Sequence, residues 1–165
     1  MAATPLTREQ VLAQLSETPA RLGALTAGLD PGHLCTAPGP GPGEWSANDV
    51  LAHLRACSDV WGNHIRAIVE EDRPTVRAVN PRTWIKSTDY PELQFRSSFR
   101  SFTNQRADLL ELLEPLPPRD WARLATVEGW GQAYEHTVLF YGQKLAGHER
   151  THIKQMARIA ASLTR

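Results

Sequence analysis

Apolar residues recur along this chain at three- and four-residue intervals, in four long stretches separated by proline- and glycine-rich punctuation. Val11, Leu12, Leu15, Leu22, Leu25 and Leu29 make the first stripe, and that period predicts an amphipathic helix over residues 7–28. Thr7-Arg8-Glu9-Gln10 reads as its capping box, in which two side chains satisfy orphan backbone N–H groups. Pro19 follows Thr18, a good N-cap, so a kink or restart is expected there. Residues 30–44, DPGHLCTAPGPGPGE, hold too many breakers for regular structure and form a loop. Ser46 and Asp49 open a second helix over 46–72, with Val50, His53, Leu54, Cys57, Trp61, His64, Ile65 and Ile68 on its stripe. A third fits 91–114, with Phe95, Phe99, Phe102, Leu109, Leu110 and Leu113, and Pro115, Pro117 and Pro118 stop it. The last runs over 133–162, with Val138, Tyr141, Leu145, His148, His152, Met156 and Ile159. No stretch stands out with a strand period. The expected fold is therefore all-α, a four-helix bundle in a single domain over 1–165. The connection 73–90 is long enough to return along the bundle, which predicts an up-down-down-up order.

Composition narrows the function classes. The 165 residues suffice for one core, and 18 basic against 18 acidic residues leave no net charge. A nucleic-acid binder shows a basic excess, which is missing. No apolar run approaches the roughly 18 residues that span a bilayer. The start, MAATPLTREQ, has no charged-then-apolar leader, so a cytoplasmic location is expected. Cys35 and Cys57 make no disulfide framework.

The candidate chemistry lies in GHERTHIKQ, residues 147–155, where His148-Glu149-Arg150-Thr151-His152 fits the zinc-protease pattern H-E-x-x-H. A protease of that kind takes its third ligand downstream, and the following IKQMARIAASLTR holds no His, Asp, Glu or Cys. Nor is there a strand to hold an extended peptide. His148 and His152 nevertheless share the apolar face of one helix. Buried imidazoles need partners, either a metal or hydrogen bonds to side chains and water. His53 is the matching upstream residue. At 1.5 Å per residue it lies about 10 Å from the start of its helix, and His152 lies roughly 15 Å from the end of the last. If these helices are antiparallel, the three imidazoles meet near one mouth of the bundle, framed by the 30–45 loop and the end of the 73–90 connection.

Other residues carry two readings each. Glu149 is turned roughly 80° from the two histidines by the helical angle; it is a base for a water on the metal, or a solvated surface charge. Gln155 orients a histidine or lies on the surface. Cys57, one turn after His53, is a fourth ligand or a small buried side chain. His64 is too deep for the cluster and is expected as a hydrogen-bonded core histidine. His136, rotated about 120° from His148, is excluded. His33 and Cys35 belong to the mouth loop. Arg106 interrupts an apolar stripe, to bind a substrate anion or to pair with an acid on the second or fourth helix. Trp45 staples the second helix entry, and Trp61, Trp84 and Trp130 are packing residues.

GEWSANDVLAHL (43–54) and GHERTHIKQM (147–156) together resemble the helix entry P-x-E-W-S-x-x-x-x-x-x-H and the helix H-x-x-x-H-x-x-Q of the DinB/YfiT-like superfamily. TPARL, DRPTVRAVNPRTW and LPPRDWARL are also similar to that pattern, so the resemblance covers nearly the whole chain. It implies a four-helix bundle with one divalent metal, nickel or zinc, held by His53, His148 and His152. Members include S-transferases using small thiols, a thiol-dependent maleylpyruvate isomerase and metal-dependent hydrolases. The implied function is transfer involving a low-molecular-weight thiol on a small-molecule substrate, with hydrolysis as the alternative. A third reading is a non-catalytic bundle that keeps the metal as a clip. A homodimer is implied; a nucleic-acid or membrane partner is not. The chain departs from the pattern at PGPGPGEW, which is richer in proline and glycine.

Overall fold

The computed structural model describes residues 3–41 and 43–164. Four long helices dominate: α1 (Arg8–Thr26), α2 (Ala47–Glu70), α3 (Phe95–Leu113) and α4 (Val138–Leu163). The capping residues act as their types predict. Gln10 N–H donates to Thr7 Oγ1 at 3.2 Å, while Thr7 N–H donates to Gln10 Oε1 at 2.9 Å. Ser46 and Asp49 repeat this exchange at the start of α2. The expected restart at Pro19 does not occur, because α1 is continuous through it. Proline removes the N–H that would bond the Leu15 carbonyl. Arg106 Nη1 from α3 donates to that carbonyl instead, at 2.9 Å.

Contacts fix the helix directions. Gln143, early in α4, donates to the Leu6 carbonyl just before α1, and Thr18 farther along α1 meets Glu149; α1 and α4 are parallel. Arg55 meets Ser98 and Asp59 meets Gln105, so α2 and α3 are parallel. His53 meets His148 while His64 meets Tyr141, which makes α2 antiparallel to α4. Arg96 reaches Thr26 while Arg106 reaches Leu15, so α3 is antiparallel to α1. The order is up-down-down-up.

The apolar stripes bury two clusters. One contains Val11, Leu15, Trp61, Ile65, Leu113 and Leu145, the other Leu22, Leu51, Leu54, Phe95, Phe102 and Met156. Each such side chain contributes about 1.5–3 kcal/mol by leaving water. Thr18 on α1, Arg106 on α3 and Glu149 on α4 are buried polar residues lying between the two clusters, and Ser58 on α2 meets Arg106.

The all-α bundle also carries a small sheet, where the sequence showed no strand period. β1 (Thr75–Arg77), β2 (Leu124–Glu128) and β3 (Tyr134–Thr137) form a small sheet in the order β1-β2-β3. β1 and β2 are parallel with Val76 opposite Val127, and β2 and β3 are antiparallel with Thr126 opposite Glu135. Segments of three to five residues are too short to display a period, and β1 finds its partner only across the whole of α3. The last helix consequently starts at Val138 rather than 133: residues 134–137 are strand, and Thr137 Oγ1 accepts the Phe140 N–H at 3.0 Å. The third starts at Phe95 rather than 91, after a 3₁₀ turn over Tyr90–Glu92. Among the described residues no helix is long and apolar enough to cross a membrane.

The chain between α2 and α3 is pinned to α2. Trp84 Nε1 and the Tyr90 hydroxyl both donate to Asp59 Oδ2, at 3.0 and 2.7 Å. Asn48 donates to the Pro91 and Leu93 carbonyls at 3.1 and 3.0 Å. These bonds hold residues 81–93 beside the first half of α2.

Candidate metal centre

The antiparallel run of α2 and α4 brings His53 to the same level as His148 and His152. Nε2 of His148 lies 3.1 Å from Nε2 of His53 and 3.1 Å from Nε2 of His152. His152 Nδ1 donates to Gln155 Oε1 at 2.7 Å, which leaves Nε2 of the neutral ring as an acceptor. Aromatic rings enclose the cluster: Trp45 stacks on His152 at 6.0 Å between centroids and stands edge-on to His53 at 5.1 Å, and Trp61 stands edge-on to His148 at 5.2 Å.

Burial favours the neutral imidazoles. It depresses His53 to about 4, helped by the His152 and Arg82 charges, and His148 to about 3, helped by His152 and His53. His152 is also lowered, mainly by burial, against the opposing Gln155 hydrogen bond. At neutral pH the three rings are therefore unprotonated, and His148 Nε2 has the Nε2 atoms of both His53 and His152 at 3.1 Å. One N–H cannot serve both contacts of His148, and its Nδ1 is buried without a partner. A cation among the rings resolves this conflict. With metal–nitrogen bonds of about 2.0–2.1 Å, the edge of a tetrahedral site is about 3.3–3.4 Å, close to the two observed separations. The residues fit a divalent metal.

Cys57 also borders the cluster. Its Sγ lies 3.6 Å from His53 Nε2 and 3.9 Å from His148 Nε2. His53, Cys57 and His148 thus form a set whose ligand atoms all lie within 4.8 Å of one another, while His152 Nε2 reaches the cluster through His148. The imidazoles are the readier donors, because burial pushes the Cys57 thiol up to about 12, and it must lose a proton to bind.

The expected roles of Glu149 are both corrected. It is 1% exposed, so it is no surface charge. It is not free as a base either: Arg106 Nη2 and Nη1 bind its two oxygens, and the Thr18 hydroxyl meets Oε2 at 2.8 Å. The helical angle that turns Glu149 from the histidines turns it into the bundle interior. Arg106, 2% exposed, takes the ion-pair reading with this fourth-helix acid and also reaches Ser58 Oγ at 3.4 Å.

His64 lies outside the cluster, with Nε2 3.1 Å from the Arg77 carbonyl. His136 is excluded for a different reason than helical rotation: it stands on β3 and stacks on Phe140. His33 and Cys35 are exposed, and the segment expected as loop opens with one helical turn over Pro31–Leu34, capped by Asp30 and ended at Cys35. Two cations near the centre escape a reading of stripes. The Arg82 guanidinium lies 5.8 Å from the Trp45 ring, and Lys144 Nζ lies 5.0 Å from the Trp61 ring. Lys144 is one turn before His148, a spacing visible in sequence; Arg82 is placed by the crossover and has no such signal. A cavity of about 440 Å³ opens at this mouth, lined by Trp45, Asp49, His53 and Arg82.

Comparison with known proteins follows the same lines. The sequence model of a family described as the DinB superfamily matches residues 14–156. None of the curated proteins matches the chain. Among solved structures, the chain is similar to YfiT from Bacillus subtilis, described as "a probable metal-dependent hydrolase with an unusual four-helix bundle topology". The TM-score is 0.77 at 17% identity, over 98% of this chain and 91% of that one. TT2238, described as a four-helix bundle protein, superposes with a TM-score of 0.63 at 20% identity, over 92% of this chain and 99% of that one. A protein from Streptococcus pneumoniae gives 0.62 at 13% identity, over 96% and 94%. At these identities the likeness is one of fold.

Proposed function

Since the chain belongs to the DinB superfamily, we propose that it is a metal-dependent enzyme whose divalent ion is held by Nε2 of His53, His148 and His152. The observation that carries this reading is the convergence of the three ring nitrogens, with two separations of 3.1 Å. Nickel or zinc suits a site of neutral imidazoles. Such an ion acts as a Lewis acid and makes a thiol or a water nucleophilic at neutral pH.

The chain's own residues prepare the site. Gln155 fixes the His152 tautomer, and the rings of Trp45 and Trp61 pack against His53, His152 and His148. Arg106 holds Glu149 in the polar layer, so no carboxylate from α4 competes for the ion. We assign the enzyme to transfer involving a low-molecular-weight thiol, acting on a small molecule. Hydrolysis is the second reading, favoured by the description of YfiT as a probable metal-dependent hydrolase. A closed, non-catalytic site is the third, favoured by the Cys57 sulfur at 3.6 Å from His53 Nε2.

Metal content measured by plasma mass spectrometry, wild type beside His53→Ala, tests the proposal. About one ion per chain, lost in the variant, is the expected result; equal occupancy in both removes His53 from the site. Cys57→Ala separates open from closed sites, since unchanged affinity leaves a position for substrate. A cobalt-substituted spectrum that shifts with added thiol favours transfer, and one indifferent to thiol favours hydrolysis.

A further inference from the structure

A separate cavity of about 220 Å³, which shares Trp61 with the surroundings of the imidazoles, is walled by α2, the sheet and the first turns of α4. Trp61, Trp130, Tyr134 and Phe140 give it aromatic walls, and Lys144 is the one side chain with a full charge among its lining. Lys144 Nζ stands 5.0 Å from the Trp61 ring and 5.7 Å from the Phe140 ring. It takes part in none of the ion pairs among the described residues. The wall also includes His64, whose Nε2 faces a carbonyl and must donate. That leaves Nδ1 an acceptor, and it is buried without a partner. The mouth cavity is different, because Glu44 and Asp49 line it along with Arg82 and offset the cation.

We propose that the Lys144 cavity recognises the body of the substrate, and that this substrate is a small planar aromatic carboxylate whose anionic group pairs with Lys144. Flat aromatic walls select a flat ligand, and an unpaired ammonium selects an anion. The volume is below the roughly 300–1,000 Å³ of sites for larger ligands, which limits the ligand to about the size of benzoate. Trp61 is the shared residue: it lines the cavity and makes an edge-to-face contact with His148 at 5.2 Å. A ligand bound here lies one ring away from the centre. As a substrate pocket this assignment rests on the metal-centre reading; as a binding site it does not.

Isothermal titration of the full chain with benzoate, acetate and benzyl alcohol tests it, on metal-loaded and metal-free samples of measured metal content. Benzoate is expected to bind about tenfold more tightly than acetate, which lacks the ring, or benzyl alcohol, which lacks the charge. Lys144 is exposed, so Lys144→Gln should fold normally and weaken benzoate about three- to fivefold, with Lys144→Arg retaining it. The proposal is overturned if benzoate does not bind, binds no better than the two controls, binds Lys144→Gln as well as wild type, or binds only the metal-loaded form, which would place the carboxylate on the ion. Benzoate binding with the expected Lys144 dependence in a protein that takes up no metal keeps the cavity and rejects the metal centre.

Discussion

Three imidazoles that must stay neutral make the site sensitive to acid. Each has a folded pKa held below its ordinary value near 6.5, to about 4 for His53 and about 3 for His148. Below pH 6.5 the unfolded chain therefore takes up protons that the folded chain refuses. The associated stability is fully present above 6.5 and is lost as pH falls toward 4 and then 3. Metal-free protein should show a melting temperature lower by about 5 °C or more at pH 4.5 than at pH 7. His148→Ala should flatten that profile; an equally steep profile in the variant would assign the acid sensitivity to other groups. Bound ion competes with the same protons, so metal should be released in the same range. Gln155 offers a separate check at this scale. Gln155→Leu removes the acceptor that fixes His152 and should weaken metal affinity about 10- to 100-fold without removing a ligand. Equilibrium titration with a chelator measures it, and unchanged affinity would return Gln155 to a surface role.

Proline in the middle of α1 and arginine in the middle of α3 are each unfavourable alone, and the fold makes one compensate the other. Pro19 leaves the Leu15 carbonyl without its helical donor, and Arg106 supplies one at 2.9 Å while also neutralising Glu149. Arg106→Met should cost about 3–5 kcal/mol in urea unfolding, because it strands a buried carboxylate. In a Pro19→Ala background the cost should be smaller by about 1 kcal/mol, since the backbone N–H restored by the substitution then serves the carbonyl. Strict additivity in this double-mutant cycle would show that the proline and the arginine are energetically independent. The sequence singles out both residues as anomalies on apolar stripes. It does not show that they face each other, because that depends on the antiparallel registry of α1 and α3. The helix ends follow a similar division. Thr7, Ser46 and their partners three residues on are read correctly from the chain, as local interactions. The start of α4 is misread because a strand paired to distant residues occupies 134–137.

At the scale of the whole molecule, the proposed ion joins α2 to α4 at a point where no covalent link exists. Anything that binds only the folded state stabilises it, by about 2.7 kcal/mol at a hundredfold excess over the dissociation constant. For a chain of this size that corresponds to roughly 5–10 °C in melting temperature. Nickel or zinc should produce such a rise in wild type and none in His53→Ala, read by thermal scanning. An equal rise in both would locate the ion away from α2. The crossover between α2 and α3 gives the site its outer wall, since the bonds from Trp84, Tyr90 and Asn48 hold Arg82 beside Trp45.

By itself the sequence determined the four amphipathic helices, the caps of the first two, the family, and the common level of His53, His148 and His152. These rest on spacing within one helix, or on helix lengths at 1.5 Å per residue, and both can be counted along the chain. Tertiary structure alone decided the rest. It paired the short strands, turned Glu149 inward to Arg106, set Cys57 Sγ beside two imidazoles and placed Lys144 over the Trp61 ring and Arg82 by the Trp45 ring. In each case the deciding contact joins elements far apart in the chain, and its energy depends on burial, which exists only once the helices have packed.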